Sequence, residues 1–309
     1  MNILFHATYS NQLEFLNILK KKFKNHNIYT IKDNIDYNKI EVALLWNLPT
    51  GVLGKLKNLK VIFSIGAGVD HILKLNDFNN TPIIRVKDPI MRERMFNHVI
   101  SQVLIYQLKL HSYQKAQQKK IWLNERYTPL NKELTIGILG LGYIGSFVAK
   151  KLQKLDYNIL GYKNSKSLSN MPFKVFTLKS IKKFISQSDI LISILPSTDK
   201  TENIINKNFL KNLKKKCLLI NIGRGSSLNE EDLLNHLQSN PNFYVSLDVF
   251  KSEPLAKSHK FWSHPNITIT PHIAAITDIE SSINFLYSKF QIFRKKGWIK
   301  SDVNLKKGY

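Results

Sequence analysis

The hexapeptide Gly140-Leu141-Gly142-Tyr143-Ile144-Gly145 is the feature that most narrows what this chain can fold into. It follows an apolar run at 134–139, predicted as a strand, and opens a helical stretch predicted over 144–155. At such a junction each glycine has a physical task. Gly140 permits the tight turn, Gly142 presents no side chain to a pyrophosphate, and Gly145 lets the helix pack closely on the strand. Phosphates would then lie at the positive end of the helix dipole, against N–H groups with no helical partner. The pattern in this context reads as a dinucleotide-binding turn.

The rest of the chain alternates in the same way. Strands are predicted at 3–6, 28–31, 42–46, 60–64 and 83–86, with a helix at 12–23 that places Leu13, Phe15, Leu16 and Leu19 on one face. A long amphipathic helix without Gly or Pro is predicted over 91–110, able to bridge two domains; 114–130 is polar and aromatic without a period and reads as a connecting arm. From Glu133 a second series begins, with strands at 134–139, 157–162, 190–194, 217–222, 244–249 and 267–270. Helices at 144–155, 206–213, 230–238 and 278–296 complete it. Asn229 before Glu230, Glu231 and Asp232 is a helix start, an Asn cap followed by acids against the dipole. Alternating strands and helices over 309 residues predict two α/β domains with parallel sheets.

Composition excludes several classes. No run of 18 apolar residues exists, so no membrane-spanning helix is expected. Residues 1–6 carry neither a basic region nor a long apolar stretch, so no secretion signal is expected either. Cys217, the one cysteine, makes no intrachain disulfide and no thiolate metal site; no metal is expected, and a reducing cytoplasmic compartment is. The net charge of +24 invites a nucleic-acid reading, but forty of the forty-six basic residues are Lys, spread along the whole chain in short groups. Base and phosphate recognition favours Arg. The charge therefore reads as a solvated lysine surface, and a nucleic-acid partner is not expected; a positive field can still steer anionic substrates.

Chemistry gathers at the predicted strand ends of the second half. After 158–162 comes Lys163-Asn164-Ser165-Lys166, without the acid that would bind a ribose 2′-hydroxyl. Cations and hydroxyl or amide donors there suit a 2′-phosphate, which favours NADPH over NADH. Arg224 lies in Asn221-Ile222-Gly223-Arg224-Gly225, one of only six arginines in the chain. Glu253 lies in Asp248-Val249-Phe250-Lys251-Ser252-Glu253-Pro254, and His272 in Thr270-Pro271-His272-Ile273-Ala274-Ala275. Each follows a strand, at the end where open α/β sheets bind ligands. Together they offer an acid–base pair and a guanidinium clamp for a carboxylate.

Four stretches in order, Gly140–Gly145, Asn221–Gly225, Asp248–Pro254 and Pro271–Ala275, resemble the D-isomer-specific 2-hydroxyacid dehydrogenases. Supporting stretches at 59–70, 135–145 and 267–277 and the Lys-Gly-Tyr terminus are similar to the bacterial glyoxylate/hydroxypyruvate reductase A branch, and the resemblance spans nearly the whole chain. It implies a Rossmann-type NAD(P)-binding domain at 96–276, inserted in a flavodoxin-like α/β substrate domain formed by 1–95 and 277–309, with the active site in the cleft between them. It implies reduction of glyoxylate and hydroxypyruvate to glycolate and D-glycerate. Arg224 would bind the substrate carboxylate and polarise the carbonyl, His272 would be the general acid, and Glu253 would hydrogen-bond the imidazole and keep it protonated. Cofactor contacts would come from Gly140, Gly142, Tyr143, Ile144, Gly145, the 163–166 stretch, Leu195, Pro196, Ile222 and Asp248, the last near the nicotinamide carboxamide. The amides of Ala67, Gly68 and Val69 would grip the carboxylate, and Trp46 would wall the pocket. A homodimer is implied, with 114–130 as the arm that reaches across. Two departures stand out: 163–166 lacks the arginine of NADPH-specific relatives, and Asn97-His98 replaces an acid followed by an aromatic residue or His.

Three rival readings remain. One is an NADH-dependent relative of D-lactate or phosphoglycerate type, against which the missing acid after Tyr162 speaks. Another is a nucleotide-sensing protein of the same fold with little turnover, against which Arg224, Glu253 and His272 speak. The last is a basic nucleic-acid binder, suggested by the charge alone.

Overall fold

Strands built from unbroken runs of apolar residues, such as Val61-Ile62-Phe63-Ser64 and Ile190-Leu191-Ile192-Ser193, can only be satisfied with both sheet faces covered. The computed structural model contains two such sheets, and every strand pair in them is parallel. It describes residues 1–8, 11–125, 127–164 and 171–309. The chain divides into two compact units, a terminal unit of Met1–Met91 with Thr277–Tyr309 and an inner unit of Arg92–Ile276.

The terminal unit has strands β1 (Asn2–His6), β2 (Asn27–Thr30), β3 (Ile40–Leu45), β4 (Val61–Ser64) and β5 (Ile83–Arg85), in the order β2-β1-β3-β4-β5. This is the flavodoxin-like order. Helix α1 (Gln12–Lys22) packs against α9 (Ile279–Lys296), with the Phe23 and Phe290 rings 5.0 Å apart. The buried face of α1 is Phe15 and Leu19, continued by Phe23, each four residues on. Leu13 does not share it: two residues from Phe15 it turns to the far side and is 73% exposed. A further short helix, α2 (Asp70–Leu73), follows β4.

The long helix ends sooner than its sequence suggests. It runs as α3 (Pro89–Gln107); Lys109 then takes φ +56°, and a separate helix α4 (Leu110–Gln118) follows. The first part of the segment read as an irregular arm is thus helical. Gln107 accounts for the stop: its amide nitrogen donates to Pro129 O and Asn131 Oδ1, and its oxygen accepts from the Tyr157 hydroxyl at 2.6 Å. This buried network anchors the helix end, and no turn residue marks the break.

In the inner unit, β6 (Thr135–Leu139), α5 (Tyr143–Gln153) and β7 (Asn158–Tyr162) precede a short β8 (Lys174–Phe176) and α6 (Ile181–Gln187). Neither β8 nor α6 is anticipated from the sequence, because three and seven residues are too few for a period to show. Then come β9 (Ile190–Ser193), α7 (Lys207–Leu210), β10 (Leu218–Asn221), α8 (Glu230–Ser239), β11 (Tyr244–Leu247) and β12 (Ile267–Ile269). Asn229 caps α8, its side chain accepting from Asp232 N–H at 3.0 Å. The order β12-β11-β10-β9-β6-β7-β8 is doubly wound, with its switch point between β6 and β9. Alternate side chains go to opposite cores: Leu191, Leu219 and Val245 to one, Ile190, Ile192, Leu218 and Ile220 to the other.

The β6–α5 turn shows why its glycines are needed. Gly140 sits at φ +111°. A Cβ on Gly145 would lie 1.9 Å from the Gly140 carbonyl oxygen, whereas one on Gly142 would meet nothing within 4 Å. Gly145→Ala is therefore expected to cost about 1–3 kcal/mol through forced displacement of α5, read as a lower midpoint in urea unfolding. Gly142→Ala should leave that midpoint where it is; equal destabilisation by both would show that the turn is not packed as described.

Candidate active site

All strands of the inner sheet run the same way, so the segments leaving β6, β9, β10, β11 and β12 emerge at one edge. They also press on one another. A Cβ on Gly140 would lie 2.8 Å from Ile194 O, and one on Gly223 would lie 2.6 Å from the backbone N and O of Leu195. The turns after β6, β9 and β10 thus form one continuous wall, with Leu195 and Ile222 buried in it and Pro196 half-buried.

At the N-terminus of α5, Gly142 has no side chain to cap the first-turn N–H groups, and it is exposed. Open space at Gly142 and a helix start without a side-chain cap fit a dinucleotide pyrophosphate. Tyr143 and Ile144 are half-buried, with the Arg92 guanidinium 5.4 Å from the centre of the Tyr143 ring. Gly140 N–H donates to Tyr162 O, which brings the end of β7 and Lys163 beside this turn. Lys163 is half-buried and Asn164 exposed; Ser165 and Lys166 lie outside the described residues.

Arg224 leaves β10 on a tightly fixed loop. Its carbonyl oxygen accepts from the Ser227 hydroxyl at 2.8 Å and from Asn221 Nδ2 at 3.3 Å, and its Nη1 donates to Gly223 O. A Cβ on Gly225 would fall 1.9 Å from the Phe250 carbonyl carbon, so only glycine lets this loop lie against the segment after β11. That segment carries Glu253. One carboxylate oxygen accepts from Phe250 N–H at 2.9 Å and the other meets His272 Nδ1 at 2.7 Å. Burial is the largest single influence on the Glu253 carboxyl and acts to raise its pKa. The bonds from His272 and Phe250, with the charges of His272 and Arg224, outweigh it and hold the group below its ordinary value.

His272 owes its place to Asp248. Its N–H donates to Asp248 O at 2.8 Å, and its backbone is in the left-handed region at φ +55°. The Asp248 carboxylate is 1% exposed and accepts from Thr270 Oγ1 at 2.6 Å, Ile273 N–H at 2.9 Å and Ala274 N–H at 3.0 Å. The loop that carries the imidazole is tied to one buried anion on both sides of His272. Asp248, which the resemblance assigns to the nicotinamide carboxamide, thus has both oxygens engaged within the protein. His98 lies within electrostatic reach of Asp248; burial lowers its pKa more than the Asp248 charge raises it.

Thr270 and Asn221, which hold this geometry, are not among the residues the sequence points to. An Asn ending a buried apolar strand is the signal that could have found Asn221; Thr270 gives none. In the terminal unit, Trp46 is half-buried and lies over Gly66, while Ala67, Gly68 and Val69 form the turn between β4 and α2.

Comparison with known proteins identifies the family. Residues 100–274 match the family model of the D-isomer specific 2-hydroxyacid dehydrogenase NAD binding domain. The chain is 33% identical over 301 residues to the glyoxylate/hydroxypyruvate reductase A of Yersinia enterocolitica, covering 94% of each chain. It is 34% identical over 287 residues to that of Serratia proteamaculans, covering 90% of each. Among solved structures it superposes with a TM-score of 0.92, at 28% identity and over 100% of this chain and 99% of the other, on an NADPH-dependent glyoxylate/hydroxypyruvate reductase of Sinorhizobium meliloti crystallised with NADP and sulfate. The protein belongs to the D-isomer-specific 2-hydroxyacid dehydrogenase family, whose NAD binding domain model its residues 100–274 match.

Proposed function

We propose that the protein reduces glyoxylate and hydroxypyruvate to glycolate and D-glycerate, using NADPH. The observation that carries this reading is the Glu253–His272 pair at 2.7 Å, fixed beside Arg224 at the same sheet edge as the Gly140–Gly145 turn. Support for the substrate and cofactor comes from the relatives in Yersinia and Serratia and from the NADP-bound Sinorhizobium enzyme. We also propose that 1–95 with 277–309 is the substrate-binding domain and 96–276 the NAD(P)-binding one, and that the protein acts as a cytoplasmic homodimer. Among the described residues no helix is long and apolar enough to cross a membrane.

A nicotinamide cofactor bound at this edge would supply hydride to the substrate carbonyl. Gly140, Gly142, Tyr143, Ile144 and Gly145 would hold the pyrophosphate, Leu195, Pro196 and Ile222 the nicotinamide half, and Lys163 with Asn164 the ribose 2′-phosphate. Arg224 would fork to the substrate carboxylate, its planar guanidinium matching both oxygens. Charge building on the carbonyl oxygen is met by a proton from His272. Nδ1 is committed to Glu253, so Nε2 is the nitrogen that gives the proton up. In the terminal unit, Trp46 and the amides of Ala67, Gly68 and Val69 are the proposed substrate contacts.

A steady-state panel of glyoxylate, hydroxypyruvate and pyruvate with each cofactor tests this reading. NADPH should give the higher kcat/KM by roughly ten- to hundredfold, the worth of charge-assisted contacts to a phosphate. Equal efficiency with NADH would remove the 163–166 stretch from the cofactor site. Arg224→Lys keeps a charge but loses the fork, so KM for the 2-oxo acid should rise and kcat fall while KM for NADPH holds. Unchanged kinetics would reduce Arg224 to a turn residue. His272→Asn should lower kcat by about a hundred- to ten-thousandfold at every pH. Glu253→Gln keeps a hydrogen-bonding side chain beside Nδ1 but removes the carboxylate that fixes the ring, so kcat should fall by less than in His272→Asn. Because the Glu253 carboxyl titrates below the ordinary range, the wild-type enzyme should keep this charge as pH falls through that range. A folded His272→Asn enzyme with wild-type kcat would defeat the assignment.

A further inference from the structure

A chain of hydrogen bonds in the terminal unit lies directly beneath the proposed carboxylate-gripping turn. Asn47, just after β3, donates its backbone N–H to His71 Nδ1 at 3.2 Å. That nitrogen therefore carries no proton, and the neutral imidazole is protonated on Nε2. Nε2 lies 3.2 Å from Ser64 Oγ, to which it donates. Ser64, at the end of β4 and 0% exposed, is then free to turn its own proton to the carbonyl oxygens of Gly68 at 2.8 Å and Gly66 at 3.1 Å. In the opposite tautomer the hydroxyl would have to donate to the imidazole, and both carbonyls would lose it.

The direction of these bonds matters because the peptide is planar and trans. A carbonyl drawn inward turns the N–H of the next residue the other way. Holding Gly66 O and Gly68 O against buried Ser64 thus directs Ala67 N–H and Val69 N–H away from Ser64 together. His71 also sets the neighbouring side chain: its ring is 4.4 Å from that of Trp46, which in turn covers Gly66 so closely that a Cβ there would lie 2.3 Å from the indole. Asn47 itself is held in place, its carbonyl 3.2 Å from His6 Nε2 and its side-chain amide donating to Thr8.

We propose that His71 is the positioning and specificity-determining residue of the substrate half of the site. As an Nε2–H imidazole it drives Ser64 to aim the Ala67 and Val69 amides at the substrate carboxylate, and it fixes the Trp46 wall that limits substrate size. This rests on the reading above that these amides take the carboxylate of a 2-oxo acid.

The test uses His71→Phe, Ser64→Ala and His71→Gln in the full-length enzyme. Each is measured with glyoxylate at saturating NADPH, and by calorimetric titration of oxalate, a carboxylate that takes no hydride, onto the NADP-loaded protein. Contacts made equally in ground and transition states act on KM and not on kcat. His71→Phe, which keeps a ring beside Trp46, and Ser64→Ala should each raise KM for glyoxylate about five- to tenfold. Both should weaken oxalate binding by a similar factor, with kcat and KM for NADPH held. His71→Gln places an N–H donor where the imidazole Nε2 stood and should restore most of the loss. Wild-type KM and oxalate affinity in Ser64→Ala would overturn the proposal, and this variant carries the test if His71→Phe does not fold. A rise shared equally by NADPH, or no gain from Gln over Phe, would overturn it as well, showing general loosening. Wild-type enzyme that neither reduces glyoxylate nor binds oxalate would instead overturn the underlying function, a separate and visible failure.

Discussion

Parallel pairing is the constraint from which the site follows. Two parallel strands cannot be joined by a tight turn; each return must travel back outside the sheet. Functional side chains can then be placed one per strand on segments that all leave at the same edge. In the inner unit this brings Gly140, Leu195, Arg224, Asp248 and His272 from five strands to one rim. The contacts of Gly140 with Ile194, Gly223 with Leu195 and Gly225 with Phe250 then fuse the separate loops into a wall. Small residues at these points are the condition for the loops to touch.

On that rim the electrostatics is arranged in two tiers. Asp248 is a buried anion whose oxygens are filled by Thr270, Ile273 and Ala274, so its role inside the protein is to define the path of a loop. Glu253 is half-exposed, and only one of its oxygens is given to the backbone. The other faces the imidazole and is available to a proton-linked task. The same functional group thus serves as anchor in one place and partner in the other, and burial with donor count makes the difference.

Much of this was legible in the chain because the chemistry is local. Gly140–Gly145 has a fixed spacing; Arg224, Glu253 and His272 each follow an apolar run long enough to recognise. What was hidden depends on contacts distant in sequence. The turn of Lys109 into the left-handed region reflects a buried network joining Gln107 to Tyr157, fifty residues away. Leu13 has the residue type of a core position, and only the packing of α9 on α1 decides which face is inside. The hydrogen bond from His71 to Ser64 spans one short turn, but the role of the imidazole is set by Asn47, in the segment after β3.

The terminal unit is assembled from the two ends of the chain. Asp302 and Ser301 bond to the backbone of β5, and α9 covers α1. During synthesis the inner unit leaves the ribosome as one uninterrupted stretch and can close on itself. The first 91 residues must meanwhile wait with the face of α1 uncovered until residues 277–309 emerge. Synthesis of residues 277–309 therefore sets the moment at which the aromatic surface around Phe23 is buried against Tyr287 and Phe290.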